Sequence, residues 1–262
     1  MSAGGSTSFD RAAAYYDETR GLPDDAVREQ TALLANELRG RGRALEIGVG
    51  TGQVALPLAD AGISIVGIDL SEPMLRVLVE KAPSRPILVV LGDATRLPFA
   101  DAAFGAGVAR WVFHLIVAWR TALEEIVRVV RPGGVLLFLL GSYGTGPRAE
   151  IQDRFNELLG LANEPVGIMW GDVATLDAAM AELGASVRPL SPITAAEHQP
   201  LSVFLDGIDR NRYSWTWRIP PDDLARVIPE VRAWAEDRFG PLDAPPTHRF
   251  ELAWRAYDLP AT

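Results

Sequence analysis

The chain has 262 residues, a formal net charge of −9 and a composition that is 48% hydrophobic. It contains no cysteine, which excludes disulfides, thiolate metal sites and a cysteine nucleophile. The excess of acidic groups opposes binding to nucleic acid and to anionic membranes.

The histidines and the N-terminal segment further narrow the classes of protein that the sequence fits. The three histidines lie far apart and lack the spacing of a zinc site, so no metal is predicted. The first ten residues have neither the basic nor the apolar region of a secretory signal. No apolar run approaches the roughly 18 residues that a membrane span needs. We therefore expect a cytoplasmic protein without a membrane span.

The first predicted elements are helical and form an N-terminal cap over residues 1–41. From Arg43 onward, short apolar strands alternate with helices. Strands that are apolar throughout indicate a parallel sheet covered by helices on both faces. The strands predicted up to Gly141 are RALEIGV, ISIVGIDL, PILVVLGD, FGAGVARWVF and VLLFLL.

Helices are predicted between these strands, in QVALPLADAG, SEPMLRVLVEKA and WRTALEEIVRVV. The second begins with Ser71 as N-cap and has Pro73 in its first turn. The third is predicted to stop at the RPGG turn.

After Gly141 the alternation breaks, and most of the predicted elements are helices. The predicted helices are IQDRFNELLGLAN, TLDAAMAELGA and PDDLARVIPEVRAWAEDRFG, and the last two strands are ASVRPLSPI and HRFELAWRAYDL. The prediction is one α/β domain with a doubly wound, mostly parallel seven-stranded sheet. It divides into the cap, a cofactor-binding core over 42–141, and a lid with the last strands over 142–262.

Three glycines, Gly48, Gly50 and Gly52, follow the first predicted strand in LEIGVGTGQ. Ligands of doubly wound sheets bind beside this strand–helix turn. The loop lacks the lysine of a P-loop, and Gln53 stands where a dinucleotide fingerprint has its third glycine. Glu46 places a carboxylate just before the loop, which suits a cationic ligand without phosphate better than a pyrophosphate. S-adenosylmethionine is such a ligand.

Two further acids close the second and third predicted strands. Asp69 lies about 20 residues beyond the first glycine, where a carboxylate can accept from both ribose hydroxyls. Because NAD sites also use an acid there, Asp69 alone does not discriminate between the two cofactors. Asp93 could accept from an adenine amino group. Three acids at successive strand ends beside a glycine turn predict a nucleoside site.

Five ordered motifs resemble those of the class I S-adenosylmethionine-dependent methyltransferases, closest to the small-molecule, type 11-like branch. They are LEIGVGTGQ, VGIDLSEPML, LGDATRLPF, FGAGVARWVFHLI and EIVRVVRPGGVLLF. The segment FDRAAAYYDETR also resembles the family's N-terminal cap.

The resemblance implies S-adenosylmethionine as cofactor, S-adenosylhomocysteine as product and a Rossmann-like fold. Carried over by position, the implied cofactor contacts are Glu46, Gly48, Gly50 and Gly52 at the methionine end, Asp69 at the ribose, Leu70 and Met74 against the adenine, Asp93 and Ala94 at its amino edge, Arg110 and Trp111 beside the methyl group, and Tyr16 and Arg20 of the cap.

One position departs from the family's pattern. The family usually has an acid after the phenylalanine of the fourth strand, where this chain has Gly105. That acid is normally structural, so we expect different local packing rather than lost activity.

Methyl transfer is an in-line displacement, and proximity and orientation can supply roughly 7–11 kcal/mol of the barrier. A general base is needed only if the acceptor must lose a proton. His114, four residues past Arg110, is the predicted base. Weaker candidates on the predicted lid are His198, Tyr143 and Tyr213.

The acceptor is expected to be a small organic molecule. Enzymes that methylate base amino groups have a (D/N)PP(Y/F) motif after the fourth strand, where this chain reads ARWVFH. No nucleic-acid partner is therefore predicted. The region after strand five resembles small-acid or quinone-type carbon and oxygen methyltransferases, and its tryptophans are compatible with an aromatic-lined pocket. Two alternatives stay open: a nicotinamide-dependent oxidoreductase, and a non-catalytic S-adenosylmethionine-binding protein.

Overall fold

The fold is seen in a computed structural model, which describes residues 6–83, 87–141, 146–161 and 166–261. The strands are β1 (Ala44–Ile47), β2 (Ile65–Asp69), β3 (Leu88–Leu91), β4 (Phe104–Arg110), β5 (Val130–Leu139), β6 (Ser186–Pro189), β7 (Ile193–Ala196), β8 (Arg249–Leu252) and β9 (Arg255–Asp258).

The α-helices are α1 (Tyr16–Arg20), α2 (Asp24–Leu38), α3 (Ala55–Asp60), α4 (Glu72–Lys81), α5 (Trp119–Val129), α6 (Pro147–Leu159), α7 (Val173–Glu182), α8 (Leu201–Asp209) and α9 (Pro221–Phe239). Short 3₁₀ turns lie at Asp10–Ala12, Phe113–Leu115 and Ser214–Thr216. None of the helices in the described part of the chain has the length and hydropathy needed to cross a bilayer.

A seven-stranded sheet in the order β3-β2-β1-β4-β5-β9-β6 forms the centre of the molecule. The first five strands pair in parallel, while β9 runs antiparallel between β5 and β6. The predicted doubly wound, mostly parallel sheet is therefore confirmed. Strand order reverses between β1 and β4, and ligands of such sheets bind at that switch point.

Alternate residues of the central strands enter two hydrophobic clusters. On β5, Val135 and Leu137 belong to one cluster, while Leu136 and Phe138 belong to the other. Because successive side chains of a strand point to opposite faces, both faces of the sheet are buried.

A third hydrophobic cluster lies in the C-terminal half, where α6, α8 and α9 pack together. This cluster covers only part of the segment 142–262, since α7 packs in the second cluster and β6 and β9 belong to the main sheet. The division into cap, core and lid stays a prediction.

The helix α4 begins as predicted, with Ser71 as its N-cap. The Ser71 hydroxyl accepts a hydrogen bond from the Met74 amide at 3.4 Å, which caps the helix, and a proline lies in the first turn. The helix ends at Lys81. The Ser71 cap fixes where α4 begins, beside the end of β2.

The predicted last strand, HRFELAWRAYDL, is wrong as one element because it is two strands in two sheets. β8 pairs with β7 in a separate two-stranded sheet, and β9 enters the main sheet. Trp254 lies between them and is fully buried in the core. The chain thus leaves one sheet for the other at the largest of the fully buried side chains that the structure describes.

The segments ASVRPLSPI and RPGG also differ from the prediction. β6 ends at Pro189, and the strand that follows it, β7, pairs elsewhere. The RPGG segment lies inside β5, at a register shift between Phe104 and Ala106 of β4. In this irregular stretch Gly133 is exposed and has a φ of 72°, whereas Gly134 is buried.

The helix α8 was not predicted from the sequence. Its interior contains Gly207, which lowers helix propensity. A Cβ at Gly207 would lie 2.6 Å from Cε2 of Tyr213, so only glycine permits this close packing. A tertiary contact therefore overrides the local signal.

Candidate functional site

A cleft lies at the carboxyl ends of β1 to β4. Its lining includes most of the residues predicted to hold a cofactor: Tyr16, Gly48, Gly50, Asp69, Leu70, Met74, Asp93, Ala94, Arg110 and Trp111. Four predicted residues are not in that lining: Arg20, Glu46, Gly52 and His114.

The glycine loop after β1 needs glycine for reasons that the structure makes specific. Gly48 and Gly50 have φ values of 66° and 54°, in the left-handed region that favours glycine. A Cβ at Gly48 would lie 2.6 Å from Cγ2 of Val112. A Cβ at Gly52 would instead meet Leu56 and Leu78, so this glycine serves packing between the loop and its helices.

The Asp69 carboxylate is held at the end of β2 by two backbone donors. The Gly50 amide donates to Oδ2 at 2.8 Å, and the Ser71 amide donates to Oδ1 at 2.9 Å. Each carboxylate oxygen keeps a lone pair for a further donor. Burial raises the pKa of Asp69, and these backbone hydrogen bonds oppose that effect. The arrangement suits recognition of a vicinal diol.

Glu46 is buried on β1, below the loop, with 2% of its surface exposed. Its Oε2 has no hydrogen-bond partner. Burial raises the pKa of Glu46 well above the ordinary value, Arg110 lowers it to a smaller extent, and Asp69 raises it further. A buried carboxylate with an unpaired oxygen favours a positively charged ligand nearby.

The cap is joined to the loop through Asp17 of α1. Thr51 Oγ1 donates to Asp17 Oδ1 at 2.6 Å, Gln53 Nε2 donates to the same oxygen at 2.9 Å, and Lys81 forms an ion pair with Asp17. Burial would raise the pKa of Asp17, but these three partners outweigh it and lower the pKa.

Arg110 at the end of β4 extends this network. Its Nη2 donates to Gln53 Oε1 at 3.0 Å and to the Arg20 carbonyl at 3.2 Å. Its guanidinium lies 4.0 Å from the ring centroid of Trp111. Burial lowers the pKa of Arg110, while Tyr16 and Glu46 raise it.

The two predicted cap residues separate in space. Tyr16 lines the cleft, and burial raises the pKa of its phenol. The Arg20 guanidinium instead lies over the Tyr213 ring, 4.8 Å from its centroid. Arg20 therefore does not face the cleft in this conformation.

Asp93 lies in the lining beyond β3, at the predicted adenine end. Both its hydrogen bonds use Oδ1, which accepts from the Thr95 amide at 2.9 Å and from the Thr95 hydroxyl at 2.8 Å. Leu70 and Met74 supply apolar surface beside it.

Trp111 has an unusual backbone. Its φ is 54°, which is rare and strained for a bulky residue. Its indole Nε1 is buried without a hydrogen-bond partner. Trp111 lines the cleft and also a second cavity of about 430 Å³. Strain of this kind, held at the junction of two cavities, marks Trp111 as a functional candidate.

His114 lies in the 3₁₀ turn after β4, with its ring edge-on to Trp170 at 4.4 Å. Burial, aided by Arg20, lowers the pKa of His114 to about 3. An imidazole with this pKa is a poor base at neutral pH. The environment argues against the predicted base role.

The weaker candidates for a general base are Tyr213, Tyr143 and His198. Tyr213 is buried against α8, and Tyr143 lies outside the described residues. His198 is partly exposed and follows Glu197 in the loop before α8. None of these lines the cleft among the described residues.

The departure at Gly105 has a physical cause. A Cβ there would lie 1.5 Å from the Arg41 carbonyl oxygen, and the Gly105 amide donates to the Arg43 carbonyl at 2.9 Å. The chain entering β1 occupies the space that an acidic side chain would need.

Comparison with known proteins decides the family. A family model described as "Methyltransferase domain" matches residues 45–138. Demethylmenaquinone methyltransferase of Paenarthrobacter aurescens is 34% identical over 144 residues, covering 54% of this chain and 56% of that protein. Phosphatidylethanolamine N-methyltransferase of Cereibacter sphaeroides is 35% identical over 155 residues, covering 56% of this chain and 75% of that protein. The chain belongs to the S-adenosylmethionine-dependent methyltransferases.

The fold of this chain is also that of solved structures. The YcgJ protein from Bacillus subtilis aligns with a TM-score of 0.61 at 19% identity, covering 89% of this chain and 99% of that chain. The matched segment spans 56–60% of the length of the first curated relatives.

The residues present fit the family's cofactor. The unpartnered Oε2 of Glu46 suits a cationic ligand. The Asp69 carboxylate has free lone pairs that can accept hydrogen bonds from ribose hydroxyls. Gly48 and Gly50 line the cleft and have no side chains that would occupy it.

Sequence reasoning missed several residues of this methyltransferase's site. Gln53 was used only as evidence against a dinucleotide loop, yet its side chain joins Asp17 to Arg110. The N-terminal segment also lines the cleft, and the Thr7 amide donates to the Leu115 carbonyl at 3.0 Å. The sequence signal for Gln53 was a polar side chain at the loop position where a dinucleotide fingerprint has glycine. The sequence contained no signal for Thr7.

Proposed function

We propose that the protein transfers a methyl group from S-adenosylmethionine to a small organic acceptor by in-line displacement. The observation that carries this proposal is two buried carboxylates at adjacent strands: Asp69, which accepts from the Gly50 and Ser71 amides, and Glu46, whose Oε2 has no hydrogen-bond partner. Membership of the family supports it.

Each side chain has a proposed task in binding. Asp69 accepts from the ribose hydroxyls, and Asp93 accepts from the adenine amino group. Glu46 balances positive charge at the methionine end. Arg110, rather than Arg20, faces the cofactor's carboxylate, because Arg110 lines the cleft and Arg20 lies against Tyr213.

The cofactor, when bound, supplies an electrophilic methyl group on a sulfonium. The protein's part is to align the acceptor with it and to exclude water. Trp111 lines both the cleft and the second cavity, so it is the proposed wall beside the reacting atoms. We propose no general base, since the pKa of His114 is lowered to about 3.

The acceptor class remains broad. The relatives' names give two unlike acceptors, demethylmenaquinone and phosphatidylethanolamine. A small-molecule acceptor, the absence of nucleic acid as a partner and a cytoplasmic location all stay parts of the proposal.

The test is an acceptor screen that follows S-adenosylhomocysteine formation, after mass spectrometry of small molecules released from the purified protein. The proposal expects bound cofactor and turnover with at least one acceptor. Cofactor binding without turnover in any acceptor class supports the non-catalytic alternative. Bound nicotinamide nucleotide instead supports the oxidoreductase.

A further inference from the structure

The second cavity lies beyond Trp111, between β5 and the C-terminal helices, and is mainly apolar. Its volume is about 430 Å³, enough for a two-ring organic molecule. Apolar side chains make up most of its lining, among them Trp111, Leu139, Trp170, Phe239 and Phe250. The polar ones are Arg148, Glu197, Thr247, His248 and Glu251.

Arg148, in the first turn of α6, is the charged residue of this lining with unused hydrogen-bonding capacity, beside the unpartnered indole Nε1 of Trp111. Its Nε lies 3.0 Å from Oε2 of Glu197, and its guanidinium lies over the Phe204 ring at 5.1 Å. Its Nη2 is buried and has no hydrogen-bond partner. A buried donor without a partner destabilises a folded protein unless a ligand satisfies it.

Another arginine of α6 shows the contrast. Arg154 has a similarly exposed side chain, 27% against 28% for Arg148. Both terminal nitrogens of Arg154 are used, in bonds to Glu157 at 2.8 Å and to Glu230 at 3.1 Å. Arg154 thus uses both terminal nitrogens and leaves only its Nε buried without a hydrogen bond, whereas Arg148 lines the cavity and leaves both Nε and Nη2 without one.

The charges around Arg148 indicate which group it would bind. Its ion pair with Glu197 is net neutral, so the site does not call for a full negative charge on the ligand. The first turn of α6 also lines the cavity, and its positive dipole end favours an oxygen over a donor.

We propose that this cavity binds the methyl acceptor and that Arg148 donates a hydrogen bond to an uncharged oxygen, such as a carbonyl, on an otherwise apolar ring system. This inference rests on the proposed methyltransferase function. The acceptor then lies with its oxygen at Arg148 and its reacting edge toward Trp111, the residue shared with the cofactor cleft.

The test is equilibrium dialysis of the full chain, without cofactor, against three probes of one shape. They are 2-acetylnaphthalene, the hydrocarbon 2-isopropylnaphthalene and the cation 2-naphthylmethylammonium. The ketone is expected to bind about tenfold or more tightly than the hydrocarbon, as for a hydrogen bond from a charged donor. Equal binding of ketone and hydrocarbon, or tightest binding of the cation, overturns the proposal.

The double variant Arg148→Met with Glu197→Gln removes the Arg148 donor. Glu197 is replaced as well because its carboxylate would otherwise lose its cationic partner. The ketone's advantage should vanish in the double variant and persist in Arg154→Met, the matched control on the same helix. An advantage that survives in the double variant overturns the proposal. The comparison of probes in the unaltered protein tests it even where a variant does not fold.

Binding of these probes is measured without cofactor, so its result does not depend on turnover. Failure of the proposed function shows itself as absent S-adenosylhomocysteine formation, and failure of this inference shows itself as a lost preference for the ketone.

Discussion

Gln53 accepts a hydrogen bond from the Arg110 guanidinium over 3.0 Å. The same side chain donates to Asp17 of α1 at 2.9 Å. The residue that distinguishes this loop from a dinucleotide fingerprint therefore connects the N-terminal cap, the glycine loop and the end of β4. The Gln53 amide thus joins the cap to the site, together with the contacts of Thr51 and Lys81 with Asp17.

Replacing Gln53 with alanine should loosen the cap and weaken S-adenosylmethionine binding by about 1.5 kcal/mol, because two hydrogen bonds to charged groups are lost. Calorimetry measures the affinity, and hydrogen exchange over residues 16–20 measures the cap. Glu18→Gln is the control, since its exposed ion pair with Arg212 lies elsewhere on α1 and contributes little. Unchanged exchange and affinity in Gln53→Ala would show that the coupling is absent.

Asp69→Ala should weaken S-adenosylmethionine binding by about 1.5–3 kcal/mol, the range for hydrogen bonds to a charged group. Calorimetry on a variant with an intact unfolding transition gives the number. Glu72→Gln, at an exposed i,i+4 pair with Arg76, is the matched carboxylate control. Wild-type affinity in Asp69→Ala would remove the ribose role.

Glu46→Gln should stabilise the ligand-free protein, increasingly so as pH rises. Burial raises the folded pKa of Glu46 well above its ordinary value of 4.5, so the folded state holds a proton that the unfolded state releases. The stability of the unaltered protein therefore falls as pH rises from about 4.5 through the folded pKa. Urea unfolding at pH 5 and pH 8 measures the difference between the two proteins.

The same substitution should weaken binding of S-adenosylmethionine, since a cation nearby favours the ionised carboxylate. A Gln variant that is no more stable at pH 8 than at pH 5, relative to the unaltered protein, would contradict the buried-charge interpretation.

His114→Phe should change kcat by less than about threefold, whereas loss of a general base costs roughly 10²–10⁴. The pKa of His114 is lowered to about 3, so it stays neutral at physiological pH, and the phenyl ring keeps the edge contact with Trp170. The pH profile of kcat should be the same in both proteins. A hundredfold loss together with a vanished acidic limb would restore His114 as the base.

The mostly parallel sheet and the acidic strand ends were readable from the sequence because their signals are local. The Ser71 cap, the glycines after β1, and Asp69 and Asp93 at strand ends all lie where their own neighbours in sequence dictate. A continuous apolar run followed by a turn is enough to place such residues at one edge of a parallel sheet.

The features that escaped prediction depend on contacts between distant segments. Gly105 must be glycine because Arg41 passes over it, and Gly207 must be glycine because Tyr213 packs on it. Trp254 divides two strands because its side chain enters the core. The unpaired Nη2 of Arg148 arises only where α6 meets the loop before α8.

We expect the cleft at β1 to β4 to bind S-adenosylmethionine and not a nicotinamide nucleotide. Isothermal titration of the purified chain with each ligand tests it most directly. The account predicts one S-adenosylmethionine bound per chain, with a Kd of roughly 1 µM to 1 mM, the span of enzyme KM values, and no heat with NADH. Saturable binding of NADH, with none of S-adenosylmethionine, would contradict it.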